Sequence, residues 1–245
     1  MDFQAGEVLY INKPLHWTSF DVVNKIRILL RNHFGIRKIK VGHAGTLDPL
    51  ASGLVIVCTG RATKRIEEYM GQEKEYMATI KLGETTPSFD LETGVDQVFP
   101  FEHITLEQLQ KAIEERFVGD IDQVPPIFSA VKLNGKRAYD FARQGQEVEM
   151  KSRMVTIHSI DIESFELPYV VLRIRCGKGT YIRSLARDLG VAMESGAHLV
   201  KLVRTRIGEW TLRESVFLAE LSEQFEVLKA VNEATEPNNT DGVES

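Results

Sequence analysis

The chain runs to 245 residues, 43% apolar and 27% charged, with a net charge of −5 at neutral pH. That profile excludes a disordered or fibrous chain, and this length can bury a sizeable core without metal or disulfide staples. No apolar run approaches the ~20 residues of a bilayer span, and Met1 to Tyr10 lacks the basic-then-apolar pattern of a signal peptide.

In chain order, Val8 to Ile11 reads as a short strand ended by Lys13-Pro14. Thr18 or Ser19 caps a helix running to Phe34, with Val22, Val23, Ile26, Leu29 and Leu30 on its apolar face and Gly35 closing it. Val41 to Gly53 reads as a glycine-bearing loop, and Leu54 to Thr59 is apolar throughout, as a central strand requires. A helical stretch from Thr63 to Met70 and an alternating strand from Lys74 to Leu82 come next, followed by a polar, turn-rich surface excursion from Glu84 to Phe99. Thr105 and Gln108 form a capping box for a helix to Phe117 that Gly119 stops. Val124 to Ile127 is held extended by its prolines, and Arg137 to Arg143 is a short helix ended by Gly145. Met154 to Phe165 and Tyr169 to Cys176 pair as strands. A helix spans Tyr181 to Met193, a strand Leu199 to Ile207 and a last helix Leu218 to Val231, with a frayed acidic tail from Thr235. Irregular alternation with adjacent strand pairs predicts one α+β domain on a mixed sheet. The two cysteines, Cys58 and Cys176, sit in apolar segments and read as free thiols of the cytoplasm.

Charge is unevenly placed. Residues 214–245 hold eight acids and one base, so that stretch carries −7 and the remainder +2. No acid lies between Asp21 and Asp48, a gap that holds Lys25, Arg27, Arg31, Arg37, Lys38 and Lys40. A second acid-free stretch, Leu167 to Arg187, holds five more cations, and Lys201, Arg204 and Arg206 follow. Such stretches suit a phosphate backbone, or are solvated faces balanced in space by acids from elsewhere.

The densest segment is Gly42-His43-Ala44-Gly45-Thr46-Leu47-Asp48-Pro49-Leu50-Ala51-Ser52-Gly53, directly before the apolar strand. A loop feeding a core strand is a rigid place for a reactive carboxylate. Asp48-Pro49 also has the form of a helix start, with the aspartate as N-cap, and both readings stand on local pattern. The glycines fit neither a dinucleotide fingerprint nor a P-loop, and no His/Cys spacing suits zinc. An aspartate-nucleophile phosphatase would carry a second acid where Leu50 stands.

These residues resemble the signature of the TruB-type tRNA pseudouridine synthases, with every fixed position of that motif present. The resemblance extends through Lys13-Pro14 with Thr18-Ser19, Gly60 to Lys64, Tyr76, Pro125 to Lys132, Gly179 to Arg183 and Gly196 to Thr205, covering about Gly6 to Gly208. It implies a single pseudouridine-synthase-like catalytic domain over residues 1–213, built on a mixed, mostly antiparallel central sheet flanked by helices. Residues 214–245 would add a C-terminal helix and acidic tail, with no PUA domain. The implied reaction turns the T-loop uridine at position 55 of tRNA into pseudouridine without metal or cofactor. The implied partner is the tRNA T-arm, met by a monomer with no obligate protein partner.

The resemblance also assigns roles. Asp48 would be the reactive carboxylate, its attack on sugar or ring, or a part in proton loss from the sugar, left open. Tyr76 would stack on the flipped base, Arg183 would pair with Asp48, and His43, Tyr181 and Leu202 would contact the nucleotide. Lys13, Lys25, Arg31, Lys40, Lys64 and Arg204 are the candidates for RNA-backbone contact. Without the resemblance, Tyr76 and Leu202 read as core, His43 as a loop histidine, and Arg183 with Arg187 as a basic helix face. The chain departs from the family at Pro87 and Ser88, where an acid and a threonine are usual, and at His16, usually glycine. A catalytically silent RNA-folding module and a phosphate hydrolase are the competing expectations.

Overall fold

The computed structural model describes residues 1–235 except 130, 134, 145 and 147. Strand β1 (Val8–Lys13) leads into helix α1 (Ser19–Phe34), and β2 (Val41–His43) precedes β3 (Ala51–Thr59). A 3-10 turn (Gly60–Arg65) and α2 (Ile66–Gly71) connect to β4 (Lys74–Leu82), followed by β5 (Glu84–Thr85) and β6 (Gln97–Val98). Helix α3 (Leu106–Arg116) precedes β7 (Gly119–Gln123), and β8 (Lys132–Leu133), β9 (Lys136–Arg137) and α4 (Ala138–Arg143) form the next segment. The chain closes with β10 (Arg153–Glu166), β11 (Tyr169–Cys176), α5 (Ile182–Ala192), β12 (Ala197–Ile207), β13 (Trp210–Thr211) and α6 (Leu218–Thr235).

One sheet organises the molecule, in the order β1-β3-β12-β4-β11-β10-β7, with β2 and β13 on β3 and β12. Every pairing in it is antiparallel except β3 with β12, which run parallel. This is the mixed, mostly antiparallel sheet that the resemblance implied. Strand β3 is buried almost throughout, as its apolar run requires, whereas β4 alternates and turns Lys74, Tyr76, Ala78, Ile80 and Leu82 to the covered side. Helix α1 begins at a capping box in which Thr18 accepts from the Asp21 amide and Asp21 accepts from the Thr18 amide, a device worth about 1 kcal/mol. Its Val22, Val23, Ile26, Leu29 and Leu30 are buried in the main core beside Phe225 of α6.

Several local expectations need correction. Gly119 opens a strand, because Asp120 and Asp122 face solvent on an edge where the 119–123 backbone can pair with β10. The 41–53 loop contains β2 and the start of β3. Residues 63–70 begin as 3-10 and become α-helical only at Ile66. No helix follows Asp48-Pro49: the Ala51 amide closes a turn on the Asp48 carbonyl at 3.0 Å, so the aspartate caps nothing. The excursion from Glu84 to Phe99 is not all surface, since Thr86, Ser88 and Asp90 are buried. The acidic tail beyond Thr235 and the Gly145 helix stop lie outside the described residues. Among the described residues no helix is long and apolar enough to cross a membrane.

Candidate active site

A cleft of about 630 Å³ opens where β4, β12 and the start of α5 converge beside the loop that precedes β3. That is within the size range of nucleotide-sized pockets. Asp48, Tyr76, Tyr181, Arg183, Leu202 and Arg204 all line it. The sheet register explains the convergence. On β12, Leu202 stands opposite Ala51 of β3 and Ala78 of β4, and Arg204 stands opposite Tyr76.

The loop carrying Asp48 is held from two sides. Ser19, at the start of α1, accepts from the Leu47 amide at 2.8 Å. Arg204, only 1% exposed, donates to the carbonyls of Leu54 at 2.7 Å, Gly45 at 3.2 Å and Thr46 at 3.4 Å. Gly53 lets the chains approach this closely: a Cβ there would lie 2.4 Å from the Arg204 carbonyl oxygen, and its φ of +107° suits glycine. Lys13 is fully buried as well and spends its ammonium on the Pro14 and Trp17 carbonyls at 3.0 and 2.6 Å.

Arg183 lies in the first turn of α5, and its side chain is 5% exposed. Its Nη2 pairs with Asp48 Oδ2 at 3.0 Å, and Nη1 lies 3.6 Å from Oδ2 of the buried Asp90. It also donates to the Ser88 and Phe128 carbonyls at 3.3 and 2.9 Å. The Asp48 side chain is 39% exposed, so it meets the cleft while its partner is fixed behind it. A buried guanidinium facing two carboxylates is compensated for its lost hydration by charge and by hydrogen bonds.

Tyr76 projects from β4 into the same cleft, and burial pushes its phenol above the ordinary range. Tyr181 sits at the N-cap of α5, its amide donating to Gln123 Oε1 at 2.7 Å and its ring beneath the Arg153 guanidinium at 4.6 Å. His43 stands apart: it lies on β2, does not line the cleft, and burial holds its imidazole below its usual value.

Two of the six RNA-backbone candidates are corrected by this geometry. Lys13 and Arg204 have no surface to offer a phosphate, because burial obliges them to satisfy backbone carbonyls instead. Arg31, Lys40 and Lys64 are exposed and Lys25 half-buried. Arg183 is likewise not part of a solvated basic face. Sequence reading missed Asp90 altogether, although an acid among the hydroxyls of Thr86, Ser88 and Thr93 was the available signal. Thr86 and Ser88 both donate to the Asp90 carbonyl, at 2.7 and 3.2 Å, folding this loop inward.

A crystal structure of a Cbf5-Nop10-Gar1 complex aligns with a TM-score of 0.71 at 29% identity, covering 94% of this chain and 57% of that chain. The model for the TruB family pseudouridylate synthase N-terminal domain matches residues 31–182. Among relatives, the tRNA pseudouridine synthase B of Parabacteroides distasonis is 61% identical over 212 residues, covering 86% of this chain and 90% of the relative. That of Phocaeicola vulgatus is 54% identical over 236 residues, 95% of this chain and all of the relative. The chain belongs to the TruB family of pseudouridylate synthases.

Proposed function

We propose that this chain isomerises the uridine at position 55 in the T-loop of tRNA to pseudouridine, with Asp48 as the carboxylate nucleophile. The observation that carries the reading is the Arg183–Asp48 pair at the floor of a cleft that Tyr76 also lines. The N1–C1′ bond breaks, the freed uracil turns, and a C5–C1′ bond forms. C5 loses a proton and N1 regains one, so the reaction is redox-neutral and consumes no water. Arg183 holds the attacking carboxylate in place through the 3.0 Å ion pair. Tyr76 offers the flipped base a ring to stack on, and Tyr181 and Leu202 bound the pocket at its sides. His43, off the cleft, acts on the RNA as the nucleotide leaves its stack.

RNA backbone is met by the exposed cations. Lys40 and Lys64 share a concavity of about 280 Å³ with Lys38 and Arg61, and this lends weight to a phosphate contact there. The catalytic unit is residues 1–213, acting as a cytoplasmic monomer on the T-arm without an obligate protein partner. The experiment is tritium release from tRNA labelled at uracil C5, using the wild type, Asp48→Ala and a tRNA lacking the T-loop uridine. Release is expected only from the wild type acting on the intact tRNA. Binding without release would move the assignment to a silent RNA-folding module.

A further inference from the structure

Four buried side-chain atoms have no hydrogen-bond partner among the described residues: His43 Nδ1, Ser129 Oγ, Arg153 Nε and Arg183 Nε. Ser129, Arg153 and Arg183 all line the cleft. Buried polar atoms are nearly always paired in folded proteins, so the concentration of three around one cleft asks for an explanation. For the two arginines a local one exists. Arg183 directs its terminal nitrogens at Asp48 and Asp90, and Arg153 donates through Nη2 to the Gly179 carbonyl at 2.6 Å while covering Tyr181.

Ser129 has no such account. It is 5% exposed, and the hydroxyl is its whole polar side chain. Its backbone is fixed on both sides, the amide donating to Ile127 O at 2.8 Å and the carbonyl accepting from the Tyr139 amide at 3.1 Å. The carbonyl just before it, on Phe128, accepts from Arg183 Nη2, the nitrogen that also pairs with Asp48. The unpartnered hydroxyl thus belongs to a cleft-lining residue next in sequence to one whose carbonyl binds the same Arg183 nitrogen as Asp48.

We propose that Ser129 is a substrate-contacting residue, its hydroxyl completing its hydrogen bonding with a polar atom of the target nucleotide. This rests on the isomerase reading above and deepens it. A hydroxyl both donates and accepts. It therefore matches the ribose 2′-hydroxyl or a carbonyl oxygen of uracil, and the test separates these sources. A serine retained only for packing would have no need of its oxygen, and alanine would serve.

The test is single-turnover conversion of a T-arm RNA carrying uridine, 2′-deoxyuridine, 2-thiouridine or 4-thiouridine at the target. It compares the wild type with Ser129→Ala, alongside melting temperatures. Ser129→Ala is expected to slow uridine conversion about fivefold to tenfold with folding intact. That loss should disappear on the one analogue that lacks the partner atom: the deoxynucleotide for a ribose contact, a thio-nucleotide for a base contact. Equal slowing on all four substrates, or a wild-type rate on uridine, would overturn the proposal. Ser129→Cys, which keeps the size and weakens the hydrogen bond, carries the same comparison should the alanine variant not fold. A wild type inactive on uridine would sink the isomerase reading itself, a result distinct from either of these.

Discussion

Two loops meet at Arg183, and they are built differently. The Gly42–Gly53 loop delivers Asp48 and is clamped from outside, by Ser19 of α1 and by the buried Arg204 of β12. The Thr86–Thr93 loop delivers Asp90 and is folded on its own hydroxyls, with outside ties from the Leu199 amide to the Phe89 carbonyl at 2.9 Å, from Arg183 to the Ser88 carbonyl at 3.3 Å and from the Tyr139 hydroxyl to the Glu92 carboxylate at 2.9 Å. One carboxylate faces the cleft and the other is sealed behind the guanidinium. Under the proposed function the difference is a division of labour, in which the exposed acid is the one to react while the sealed one balances the charge of the arginine between them.

Substitutions break that comparison in order of size. Asp48→Asn should abolish turnover, a loss of about a thousandfold or more in single-turnover rate, while tRNA affinity stays within about threefold. Arg183→Lys should cost about a hundredfold, because one ammonium cannot face two carboxylates and two carbonyls together. Asp90→Asn should cost about tenfold in the rate step with little change in tRNA affinity, since it removes charge balance and leaves the reacting group. A loss as large as that of Asp48→Asn would erase the distinction between the loops. Arg204→Met strips donors from three carbonyls and should lower unfolding stability by about 3 kcal/mol in urea titration. Thr86→Val, which loosens only the self-held loop, should cost about 1 kcal/mol in the same assay.

A separate effect is on pH dependence. Burial pulls the Lys13 and Lys74 ammonium groups down to about 8 from an ordinary 10.5. Between those values the unfolded chain binds more protons than the folded one, so stability should rise with pH across that window. Below about 8 the cost of burying the charge is present in full. Urea midpoints measured from pH 8 to 9, below the range where the buried Cys58 and Cys176 thiols oppose the trend, should climb for the wild type and climb less for Lys13→Met.

Much of this architecture was legible in the chain. A wholly apolar run became the buried β3, and the alternation from Lys74 became β4 with Tyr76 on the covered side. Asp48 stood out by its setting, and only likeness to a family tied it to Arg183. What stayed illegible has a common physical cause. Arg204 reads as a surface cation because the Leu54 carbonyl that consumes its proton lies 150 residues upstream. Asp90 reads as a loop acid because the guanidinium it is buried against is also remote, its bond to Ser88 spanning 95 residues. Local pattern reports charge and period, and long-range partners decide whether a charge is spent inside.

The parallel junction of β3 and β12 has a consequence for synthesis on the ribosome. Those strands are neighbours in space, yet Ala51 and Leu202 are about 150 residues apart in the chain. A nascent chain that has exposed β1, α1, β3 and β4 still lacks the strand between β3 and β4, and with it the arginine that pins the aspartate's loop. The centre of the sheet is therefore stitched last, against a large loop-closure entropy. Fragments released before residue 204 should be inert and edge-exposed, so translation pausing near that point would favour aggregation over partial activity.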